Sequence, residues 1–146
     1  MKRLALGGFV LALAACGGGS GGGMLTKAQY DAKLSHLCLS SSDQVHELHI
    51  SLGLLAWKVD GPRLVRIEKG FVTHMDALKA PDSITSAVTA YRAANEKAIA
   101  DTQAAVDAAK AGDNAKLQAE IKQSNKDELA TYPSAKQIGA RDCYFS

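Results

Sequence analysis

Four histidines carry the most conspicuous potential chemistry in this 146-residue chain. His46 and His49 flank Glu47 and Leu48, with His36 and Asp43 upstream and His74 further along. Side chains three apart share a helical face, so His46 and His49 could grip one metal ion. Such a pair needs further ligands from another element, and His74 is a conceivable one. The apolar register argues against it: Val45, Leu48 and Leu52 mark the core side, which turns His46 and Glu47 outward and leaves His49 near the boundary. The expectation is therefore solvated or rim histidines, with no metal and no cofactor. A metal- or small-ligand-binding site on the histidines of the first helix is the alternative.

Other reactive arrangements fail on spacing. A di-metal carboxylate centre within a helical bundle needs Glu-x-x-His pairs on inward faces. Glu47 and Glu68 are followed at that offset by Ile50 and Phe71, and Glu96, Glu120 and Glu128 by no histidine. A haem between helices would want an inward His or Met; Met75 beside His74 comes closest, and methionine in a helical stripe is usually core packing. There is no G-x-S-x-G elbow, and Ser40-Ser41-Ser42 has no positioned base beside it. Those serines are expected instead to compete for backbone hydrogen bonds and bend their helix. No catalytic residue is assigned, and the chain is not expected to be an enzyme.

The N-terminal residues read as an address. Lys2 and Arg3 precede an apolar run over residues 4–14, about 11 residues long and typical of a signal-peptide core. That is well short of the roughly 20 apolar residues that span a bilayer. The run ends in Leu13-Ala14-Ala15-Cys16, which resembles the lipobox of bacterial lipoproteins. The resemblance implies cleavage before Cys16, a lipid on its thiol, and a location on the extracytoplasmic face of the cell membrane. Gly17-Gly18-Gly19-Ser20-Gly21-Gly22-Gly23 follows, a composition that behaves as a flexible tether. The domain plan is thus a signal peptide (1–15), a lipidated tether (16–23) and a helical domain (24–146).

With Cys16 assigned to lipid, Cys38 and Cys143 remain, an even pair in an oxidising compartment. A disulfide between them is expected to join the first helix to the C-terminal tail. No CxxC or CxxCH occurs. The chain holds 17 basic and 15 acidic residues; loss of Lys2 and Arg3 brings the charge near zero. With no basic stripe and few aromatic residues, nucleic acid is not an expected partner.

The remaining stretch reads as helix throughout. Thr26 with Gln29 forms a capping box, and Leu25 with Tyr30 a hydrophobic staple. Tyr30, Leu34, Leu37, Ser41, Val45, Leu48, Leu52, Leu55 and Val59 recur at steps of three and four, which predicts one long helix ending at Asp60-Gly61-Pro62. A second helix carries Leu64, Ile67, Phe71, Met75 and Leu78. Ala80-Pro81 then stops it, and Asp82 or Ser83 is the expected N-cap of a third. The third runs to Gly112, with Asp113 capping a fourth that carries Leu117, Ile121, Asn125 and Leu129 and ends at Tyr132-Pro133. Trp57 lies off the main stripe and is expected to cover the junction of the first two helices. Short connections between long amphipathic helices predict an all-α, antiparallel four-helix bundle. The layout, through Tyr30, Cys38, Ala80-Pro81 and Cys143, resembles small helical lipoproteins of high-GC Gram-positive bacteria, a group that implies no activity. The functional expectation is a membrane-anchored, non-enzymatic binding module. Its partners are the membrane, through the lipid on Cys16, and another envelope or surface protein.

Overall fold

The computed structural model describes residues 23–50 and 53–143. The expected signal peptide, Cys16 and the tether up to Gly22 lie outside the described residues, as does Leu52. The described part is all-α. Its helices are α1 (Lys27–His46), α2 (Leu54–Val59), α3 (Gly61–Asp76), α4 (Thr85–Ala111), α5 (Asn114–Leu129) and α6 (Tyr132–Ile138). Short 3-10 turns at Asp82–Ile84 and Arg141–Cys143 complete the order. No helix among the described residues is long and apolar enough to cross a membrane.

Local chemistry sets most of the boundaries. The Thr26 hydroxyl accepts the Gln29 N–H while the Gln29 side chain accepts the Thr26 N–H, closing the capping box. Gly112 closes α4 in the left-handed region at φ 78°, where a side chain is disfavoured. The next residue, Asp113, accepts the Lys116 N–H and opens α5.

Four expectations are corrected. The predicted long first helix is two: α1 ends at His46, and α2 starts only after Gly53. The apolar stripe keeps phase across this gap, but the backbone does not. The Leu48 N–H turns back to the Val45 carbonyl at 2.9 Å, Leu48 goes into the protein, and Val45 is left 37% exposed. Neither Asp82 nor Ser83 caps α4 with its side chain. A 3-10 turn leads in, with the Pro81 carbonyl accepting the Ile84 N–H and the Thr85 hydroxyl. Leu55, Val59 and Leu129, predicted inward, are exposed near helix ends. The tail is itself helical: α6 and the last 3-10 turn bury Ile138, Ala140 and Cys143. The described residues therefore hold six α-helices where four were expected.

The long helix α4 is the hub, packing against α2, α3, α5 and α6. Around it sit two separate apolar clusters. One joins Tyr30, Leu34, Phe71, Met75, Tyr91 and Ile138. The other joins Trp57, Val65, Ala105, Val106, Leu117 and Ile121. Trp57 is 5% exposed, so it is buried under the α2–α3 junction as expected.

Two glycines of α3 test this packing in opposite directions. A Cβ on Gly61 would stand 2.7 Å from Val106 Cγ2 and 3.2 Å from the Trp57 ring. Val106 is fully buried and has nowhere to go. Gly61→Ala is therefore expected to destabilise by about 1–3 kcal/mol, the usual cost of overpacking. A Cβ on Gly70 meets nothing within 4 Å, so Gly70→Ala should stabilise by about 0.5–1 kcal/mol. Urea midpoints of the two variants check both signs; a shift in the same direction would refute the packing described.

Candidate functional site

Between the two apolar clusters lies a partly open cavity of about 590 Å³. Ordinary packing leaves few voids larger than a water molecule, and small-molecule sites run from roughly 300 to 1,000 Å³. One wall is apolar, with Cys38, Ile67, Phe71 and Ile99; Trp57 and Ile121 stand on the other side. The lining also carries a polar band from three helices: Glu68 of α3, Asn95 and Thr102 of α4, and Ser124, Asn125 and Glu128 of α5.

The register of each helix puts these polar groups at seam positions. Glu68 follows Leu64 by four and precedes Phe71 by three, so it shares their face. Thr102 stands between Ala98 and Ala105 on α4 and is 1% exposed. Ser124 and Glu128 extend the Leu117–Ile121 stripe of α5 by one and two turns.

Thr102 Oγ1 lies 3.2 Å from Glu68 Oε1, 3.0 Å from the Ala98 carbonyl and 3.0 Å from Ser124 Oγ. Its single proton serves one acceptor at a time, so the hydroxyl donates either to Glu68 Oε1 or to the Ala98 carbonyl. Burial pushes the Glu68 carboxyl up to about 8 against the hydrogen bond that Thr102 donates to it, and the negative field of Glu128 adds to the rise. The second oxygen, Glu68 Oε2, is buried and has no hydrogen-bond partner, as is the indole N–H of Trp57. Glu128 sits at the exposed edge of the band, where burial of its carboxyl still raises its pKa. Tyr91 closes one side, its ring edge-on to Phe71 at 6.2 Å between centroids and its hydroxyl 3.7 Å from Cys38 Sγ. Desolvation pushes that hydroxyl up to about 12.

Protein-family models, curated proteins and solved structures were all compared with the chain, and none of them matches it.

Cys38 and Cys143, the expected pair, are brought to disulfide distance, with S–S 2.01 Å and Cα–Cα 5.2 Å. Both line the cavity. The histidines do not converge. His46 reaches the cavity edge and His49 is exposed elsewhere, while His36 and His74 face a smaller groove of about 240 Å³ shared with Arg66. His74 Nδ1 is already engaged with the Gly70 carbonyl at 2.8 Å. Among the described residues no three His, Cys, Asp or Glu side chains are grouped to hold a metal ion. Sequence reasoning missed Glu68, Thr102 and Glu128 as a group. Asn125 in the predicted stripe of the last long helix was the available signal, a polar residue where a core residue belongs.

Proposed function

We propose that this chain is a membrane-anchored extracytoplasmic lipoprotein whose helical domain is a non-enzymatic binding module. In this reading residues 1–15 are the signal peptide, Cys16 carries the lipid and residues 16–23 are the tether. The recognition site is the cavity between the two apolar clusters, and that cavity is the observation that carries the reading. A cleft of this size leaves apolar side chains without packing partners, and an unpaired buried polar oxygen costs about 1–3 kcal/mol. A small domain that keeps both is better understood as shaped for an occupant than for stability. The short connections of α3, α4 and α5 support an antiparallel course for the long helices.

Small-ligand recognition by the cavity replaces the histidine-centred form of the same idea, because the histidines are dispersed. A second reading, contact with another envelope or surface protein, is favoured by the outer face of α2. Leu55 and Val59 are four apart there and 76% and 62% exposed.

The chain has one tryptophan, and Trp57 lines the cavity, so its emission reports occupancy. Adding the small-molecule fraction of the cell envelope to exhaustively dialysed protein is expected to shift that emission saturably. Ala98→Phe, which sets a ring into the cavity from α4, should abolish the response. An equal response in both proteins would mean that binding occurs elsewhere and would contradict the reading.

A further inference from the structure

We propose that the cavity takes an organic amine, a protonated primary or secondary ammonium head on an aryl-sized apolar body, with the head seated between Glu68 and Glu128. The inference rests on the cavity being the recognition site and adds the class of ligand to it.

Charge is the first support. Among the described residues that line the cavity there are two carboxyls and no lysine or arginine. An anionic ligand would meet no lysine or arginine there, whereas an ammonium ion meets the oxygens of two carboxyls. The unpaired oxygen is the second. Glu68 Oε2 is buried without a donor, and a buried acceptor gains most from a charged N–H. A quaternary ammonium has no N–H to give, which is why the head is primary or secondary. The walls are the third. Trp57, Phe71, Tyr91 and Tyr132 all border the cavity, and aromatic faces attract cations as well as apolar bodies. Trp57 is itself 5% exposed, so its ring is held in place as part of the wall.

Seating the head requires Glu68 to release its proton. Burial holds that carboxyl at about 8, so at pH 7 the release costs about tenfold in affinity, a penalty that vanishes above pH 8. The other titratable groups facing the cavity are His46 of α1, Tyr91 of α4, Glu128 of α5 and Tyr132 of α6. Wild type and Glu68→Gln must therefore be compared side by side.

The test is calorimetric titration of the full chain, purified in detergent, with phenethylammonium chloride. The neutral 2-phenylethanol and the anionic phenylacetate serve as controls, at pH 6.5 and 8.5. The cation is expected to bind at least tenfold more tightly than either control and to gain tenfold or more between the two pH values. Glu68→Gln should lose at least tenfold in affinity and flatten the pH dependence, with its helical circular dichroism unchanged. Equal or tighter binding of 2-phenylethanol or phenylacetate would overturn the amine class and leave the cavity as a site. The same holds if no probe binds while the Trp57 response to envelope small molecules persists. Loss of both the probes and that response would overturn the cavity reading as well.

Discussion

Replacing Cys38 and Cys143 together by alanine is expected to lower the stability of the domain by about 4–5 kcal/mol, the loop-closure value for a bridge of this span. The two residues are 105 apart in sequence, so the bond restrains nearly the whole folded chain. The local packing argues for a full effect. The last 3-10 turn is held by α1 and α6, and Cys143 Sγ approaches the Leu34 carbonyl at 3.8 Å. Without the bond, the tail can lift and uncover Leu34, Ile138 and Ala140, all fully buried. Both cysteines also border the cavity, so ligand affinity should fall with stability. Urea unfolding with and without dithiothreitol measures the effect. An unchanged midpoint after reduction and alkylation would show that the bond contributes nothing.

The stability of the domain should fall as pH rises from about 4.5 to about 8, opposite to the trend that salt-bridged carboxylates produce. The Glu68 carboxyl binds its proton more tightly in the folded chain, chiefly because burial penalises the charged form. Between the unfolded and folded pKa values the folded state holds a proton that the unfolded state has released, so raising pH favours unfolding. Stability from this group is complete below about 4.5 and lost by about 8. The full difference is on the order of 5 kcal/mol, a large share of a typical domain's 5–15. Glu128 acts in the same direction. Asp127 acts oppositely at lower pH: hydrogen bonds from Lys97 and Gln123 hold it down at about 2, so its contribution disappears as pH falls below its ordinary range. Maximum stability is therefore expected near pH 4–5. Glu68→Gln keeps the shape and the Thr102 contact while removing the ionisation, and it should raise stability at pH 8 while changing little at pH 5. Melting curves across that range decide it, and a wild type whose stability is flat or rising from pH 5 to 8 would contradict the assignment.

Legibility in the sequence followed the range of the interaction. The capping box of Thr26 and Gln29 and the Gly112–Asp113 stop-and-start are made by neighbours along the chain, and each could be read from residue type alone. The break after His46 could not. Its cause is tertiary: folding α2 back buries Trp57 against Val65, Val106 and Leu117, a gain invisible to a periodicity that continues in phase through Leu52 and Leu55. The polar band was half legible. Glu68 and Thr102 occupy core-facing register positions and Glu128 the edge of one, yet nothing in one helix tells at what height the next will align. Only the assembled helices bring the three to one level. The Cys38–Cys143 pairing was reached by elimination, once Cys16 had a separate expected fate.

Native mass spectrometry of the protein extracted gently from its own membrane, beside Cys16→Ser and Ala98→Phe, tests the central claim most directly. The expected wild-type species begins at Cys16, carries lipid mass, and holds one additional small molecule that is released on collisional heating. Cys16→Ser should lose the lipid, and Ala98→Phe should keep the lipid but lose the small molecule. A wild-type chain that retains Met1 without added mass, or a bound molecule equally present in Ala98→Phe, would contradict a lipid-anchored domain that binds its ligand in this cavity.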